Sequence, residues 1–84
     1  MKTIIIQNKG LNESNFKAAF VRLQDYTAYC YLSDDESHIA VHCDPAPMYS
    51  VDSGSIMNGV AAAKLAIRYY LKSYLREIEI VVKE

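Results

Sequence analysis

The residues best equipped for chemistry cluster between Tyr26 and Cys43, where tyrosines, histidines and both cysteines of the chain fall together. Pairing Leu32 with Ile39 across Asp34-Asp35-Glu36-Ser37 turns this stretch into a β-hairpin with two unlike faces. Alternation puts Ala28, Cys30, Leu32, Ile39, Val41 and Cys43 on one side, and Tyr29, Tyr31, His38, Ala40 and His42 on the other. The first set is small and apolar, as a core face must be. The second is aromatic and titratable, with Tyr29 opposite His42 and Tyr31 one pleat away. Such a face can stack bases or flat ligands. It can equally meet a protein, because tyrosine is enriched at interfaces, or simply pack across strands on a half-exposed sheet. Nucleic acid is the least supported partner. The net charge is −1, and only Lys2 and Lys83 could flank the face, so no basic footprint neutralises phosphates.

Metal and catalytic chemistry find little footing. His38 and His42 share a strand face but stand roughly 13 Å apart at strand rise, too far for one ion. Asp34-Asp35-Glu36 lacks the spacing of a calcium loop. There is no Gly-x-Ser-x-Gly, His-Glu-x-x-His or Walker loop. Cys30 and Cys43 lie diagonally on the core face, so a disulfide is possible but not indicated. The expectation is two buried thiols, poor nucleophiles, in a reducing cytoplasm. No metal, cofactor or catalytic residue is assigned. The start of the longest helical pattern offers one further site. Ser53, Gly54 and Ser55 stand where free backbone N–H groups and the macrodipole would favour an anion, although plain N-capping by either serine explains them as well.

These residues need elements to hold them. Eighty-four residues make one domain, and a chain this small buries only about 60% of its unfolded surface. An apolar fraction of 51% suits a folded domain. No apolar run reaches membrane-spanning length, and the segment Met1 to Ile6 is too short for a signal peptide. Thr3 to Gln7 reads as a β-branched strand closed by Asn8-Lys9-Gly10. Asn12 caps a helix whose apolar face is Phe16, Ala19, Phe20 and Leu23. After the hairpin, Asp44 to Gly54 holds both prolines and reads as a loop. Ile56, Val60, Ala63, Ile67, Tyr70, Leu71 and Tyr74 then mark a helix running to about Arg76, roughly 30 Å long. Its distal tyrosines, Tyr69, Tyr70 and Tyr74, would overhang the sheet and meet another subunit. Ile78, Ile80 and Val82 alternate with Glu79, Val81 and Lys83 as a final strand.

The order β-α-β-β-α-β packs most economically as an α+β open-faced sandwich, with two helices on one face of a four-stranded antiparallel sheet. That order, together with Val51 to Val60, resembles the histidine-containing phosphocarrier family of the sugar phosphotransferase system. In that family a Ser-Ile-Met-Gly segment opens the second helix, and its serine can be a regulatory phosphorylation site. Ser55-Ile56-Met57 matches, with Asn58 inserted before Gly59, and Ile6 to Leu11 looks like the family's first strand and turn. The family's active histidine would follow Gly10-Leu11, where Asn12-Glu13-Ser14 stands instead. The resemblance thus implies a fold and a modifiable Ser55, without phosphoryl transfer.

The expectation is a small non-enzymatic binding or regulatory protein, cytoplasmic and homo-oligomeric, working through a protein partner. An inhibitor of a larger enzyme or complex fits the same features. Tyr29, Tyr31, His42, Tyr70 and Tyr74 are its candidate contact residues. The alternatives are a phosphate or nucleotide binder at Ser53 to Ser55, or a phosphocarrier-like regulator modified at Ser55.

Overall fold

Strand β1, Lys2–Asn8, carries the isoleucine run through the middle of the molecule. In the computed structural model, which describes residues 2–43, 47–49 and 56–83, the elements are two α-helices, a 3₁₀ turn and six strands. Asn8 closes β1. Its Oδ1 accepts from the N–H groups of Gly10 and Leu11, and its Nδ2 donates to Leu11 O at 2.8 Å. Asparagine does this readily because its short amide mimics a turn of backbone. Helix α1, Glu13–Leu23, starts where the sequence places it: Asn12 is the cap, its Oδ1 accepting from Asn15 N at 2.8 Å.

Strands β2 (Cys30–Leu32) and β3 (His38–Cys43) form the hairpin in the expected register, with Cys30 opposite Val41 and Leu32 opposite Ile39. Its tip is stitched by Asp35 Oδ1, which accepts from Ser33 Oγ, Ser37 Oγ and Ser37 N. Glu36 takes a left-handed φ of 57° there, which lets the tip reverse in so few residues. Ala28 departs from expectation. It precedes the paired part of β2 and is exposed, so it is no member of the core face.

Strand order in the main sheet is β2-β3-β1-β6, all antiparallel, where β6 is Ile78–Lys83. Each helical crossover therefore joins strands separated by one other strand. The uninterrupted β-α-β-β-α-β order is not met. A second, two-stranded sheet, β4 (Pro47–Tyr49) with β5 (Ile56–Asn58), stands between β3 and the second helix. Part of the expected loop is thus strand. Ile56 belongs to β5, so helix α2 is shorter than its apolar stripe suggests and covers Gly59–Tyr70. At ~1.5 Å per residue that is about 18 Å, rather than the expected length. After Leu71 the chain tightens into the 3₁₀ turn Lys72–Tyr74, and Leu75 to Glu77 turn into β6.

One core results. Ile4 and Ile6 of β1, Ile39 and Val41 of β3, Cys30 of β2 and Ile78 of β6 share a sheet face. Phe16, Ala19 and Leu23 of α1, Ala63 and Ile67 of α2, and Leu71 cover it. Among the described residues no polar or charged side chain is buried.

Candidate functional site

Uncovered by helices, the opposite sheet face is built by the odd-numbered residues of β1 and their partners. Ile5 lies between Ala40 and Val81, and Ala40 in turn lies beside Tyr31. An apolar row therefore crosses the whole sheet. On one side of it, Thr3 sits between His42 and Lys83; on the other, Gln7 sits between His38 and Glu79. Alternation forces this division, since each Cβ on a strand points opposite to its neighbours.

His42 is the hub of the face. Its Nδ1 lies 3.0 Å from Thr3 Oγ1, and its ring packs against Tyr31 with centroids 5.4 Å apart and a 54° tilt. Its backbone N–H donates to Tyr29 O at 2.9 Å, which extends the hairpin ladder one residue past β2 and sets Tyr29 opposite His42. Thr27 Oγ1 anchors that extension by accepting from Tyr29 N. Both tyrosines are well exposed, Tyr29 at 66% and Tyr31 at 52%. The threonine hydroxyl and the tyrosine ring contact the imidazole from two directions. Tyrosine and imidazole together offer flat apolar area with polar edges, which suits recognition of a mixed surface.

Tyr70 and Tyr74 do not join this cluster. They lie on the helical layer, on the other side of the sheet. Tyr70 packs 6.0 Å from Tyr26 and 5.5 Å from Tyr69, and its backbone carbonyl accepts from Arg22 Nε at 2.7 Å. Burial first, then Cys43 and Tyr70, push the Tyr26 phenol up from its ordinary value. Tyr74 packs against the core. These rings tie α2 to the end of α1. The exposed tyrosine of that layer is instead Tyr69, with Lys72 Nζ 5.8 Å from its ring centroid.

The expected anion site at Ser53, Gly54 and Ser55, and with it the modifiable Ser55, lies outside the described residues. Helix α2 begins at Gly59, after the three residues of β5. Neither Cys30 nor Cys43 forms a disulfide among the described residues: the Cys30 thiol donates to Thr27 O and the Cys43 thiol to Lys2 O. Burial pushes the Cys30 thiol up, with its backbone hydrogen bond opposing. A raised thiol is a poor nucleophile at neutral pH. Among the described residues, no group of three or more His, Cys, Asp or Glu side chains could hold a metal ion.

Sequence reasoning found Tyr29, Tyr31 and His42 but missed Thr3, Ile5 and Val81, which need the strand order to reach the same face. The signal was present in the polar flanks Thr3 and Gln7, two residues either side of Ile5. Lys2 is misplaced by the same reasoning: it pairs with Cys43 and has the parity of Ile4, so Lys83 remains the cation of the open face among the described strands. Comparison of the chain with protein-family models, with curated proteins and with solved structures finds no match.

Proposed function

We propose that this is a small non-enzymatic binding protein that acts through protein contact at its open sheet face, with Tyr29, Tyr31 and His42 as the anchor. The observation that carries this reading is the pair of exposed tyrosines beside a histidine that Thr3 contacts. Aromatic side chains held in place lose little conformational freedom on binding, which is what makes them strong interface anchors. The apolar row Tyr31, Ala40, Ile5 and Val81 extends the surface across the sheet, with polar residues on both sides. That is the arrangement of an interface core with a polar rim. Among the described residues of the sheet, Lys83 alone brings a cation to this face, which gives nucleic acid no comparable support.

The test is Tyr29→Ala combined with His42→Ala, compared with Val21→Ser on the helical layer. Binding to the partner recovered from the native host is measured by calorimetry with purified components. The double variant should lose at least about a hundredfold in affinity, as two hot-spot truncations would, while Val21→Ser should bind like the parent. Equal binding by all three proteins would end this reading.

A further inference from the structure

The two edges of the main sheet are unlike. β2 is three residues long, a short edge of the kind that resists further pairing. At the other edge β6 is six residues long, and no described strand pairs with its outer side. Its sequence is Ile78-Glu79-Ile80-Val81-Val82-Lys83. Glu79, Val81 and Lys83 have the parity of the open face; Ile78, Ile80 and Val82 have that of the core. Ile80 and Val82 are only partly buried, although the central Ile6 and Ile4 opposite them are wholly so. The core thins toward this edge.

The charges are placed symmetrically. Glu79 and Lys83 stand two residues either side of Val81, with opposite sign. We propose that β6 pairs antiparallel with β6 of a second copy of this chain, about a two-fold axis at Val81. In that register Glu79 faces Lys83 of the partner subunit, and Lys83 faces Glu79 of the partner subunit. On the core side Ile80 faces Val82 of the partner subunit, and the reverse, so the half-covered residues gain apolar neighbours. Directly opposed charges of opposite sign favour a strand pair and like charges oppose it. Other centres fail this test. An axis at Glu79 or at Lys83 opposes like charges, and one at Ile80 or Val82 sets a charge against Val81. Charges on an edge ordinarily repel other strands; these two are arranged to accept their own. The product is one continuous eight-stranded sheet, an isologous dimer, with the two tyrosine clusters at its far ends. The pairing edge is the one opposite the tyrosine cluster, although Val81 and Lys83 share the open face with it.

The test is charge reversal on the full chain, read by sedimentation equilibrium, with circular dichroism to verify folding. The parent should be a dimer. Glu79→Lys alone and Lys83→Glu alone should each weaken dimerisation by about tenfold or more, because both opposed pairs become repulsive. The double reversal, Glu79→Lys with Lys83→Glu, restores complementarity and should return the affinity to near the parent value. A monomeric parent, a dimer indifferent to single reversal, or a double variant as weak as the singles would overturn the proposal. Sedimentation of the Tyr29→Ala/His42→Ala variant separates the two ideas: its partner binding should fail while its dimer persists, because Tyr29 and His42 lie on the hairpin of β2 and β3, the two strands farthest from β6.

Discussion

At the scale of single residues, the hairpin tip shows how one side chain can set a turn. Asp35 is exposed, yet its Oδ1 gathers three donors from Ser33 and Ser37. The Ser37 hydroxyl foremost, then Ser33 and the Ser37 backbone N–H, hold its carboxyl down to about 2, from the usual 3.8. Hydrogen bonds to the charged form have this effect. A group whose folded pKa lies below its unfolded one binds fewer protons when folded. Its contribution to stability is therefore complete above the unfolded value and disappears as pH falls through the folded one. The parent should accordingly lose stability between about pH 4 and about pH 2 more steeply than Asp35→Asn, which keeps an acceptor but cannot titrate. Thermal unfolding of both proteins across that range measures the difference, and superimposable profiles would show that Asp35 does not hold the tip in solution.

At the scale of elements, local signals decided what was legible. Asn12 is a cap by residue type and by geometry. Asn12→Ala should cost about 1 kcal/mol in chemical denaturation, and Asn12→Asp much less, since aspartate caps equally well. A fall of the same size in both would mean that something other than capping is lost. The hairpin register was readable because pairing Leu32 with Ile39 brings Cys30, Leu32, Ile39, Val41 and Cys43 to one side, and a slip by one residue would set the apolar set of one strand against the polar set of the other. The stretch around Ile56 was not. Ile56 stands four residues before Val60, so it extends a helical stripe as well as it fills a strand, and short apolar segments carry both periods. The helix end was hidden for a similar reason. Tyr74 continues the i, i+4 series from Tyr70, and no glycine or proline marks the change to a 3₁₀ turn at Lys72. The candidate site was legible only as far as it was local. Tyr29, Tyr31 and His42 meet within one hairpin, whereas Thr3, Ile5 and Val81 join them through pairings that span most of the chain.

At the scale of the whole molecule, the two faces of β1 carry the consequence of covering a sheet on one side only. β1 lies between β3 and β6, and its even and odd residues belong to different worlds. Ile6 is fully buried under the helices; Ile5, one residue earlier, is half-buried in the open face. A domain of this length has roughly 4 to 13 kcal/mol of stability to lose. Removing three carbons at a closed site costs about 2 to 5 kcal/mol, the lost transfer energy plus the cavity left behind. Ile6→Ala should therefore remove about 2 to 5 kcal/mol, a large share of the total. Ile5→Thr keeps the β-branch that suits a strand and can put its hydroxyl in water, so it should cost less than about 1 kcal/mol. Urea denaturation at low protein concentration compares them on the single chain. If Ile5→Thr proved as damaging as Ile6→Ala, the open face would have to be covered in the free protein, and the tyrosine cluster could not serve as an accessible contact surface. If the penalty for Ile5→Thr grew with protein concentration while that for Ile6→Ala did not, the face would be covered by self-association. The face would then belong to the dimer itself, and the charge symmetry of β6 would not be what directs assembly.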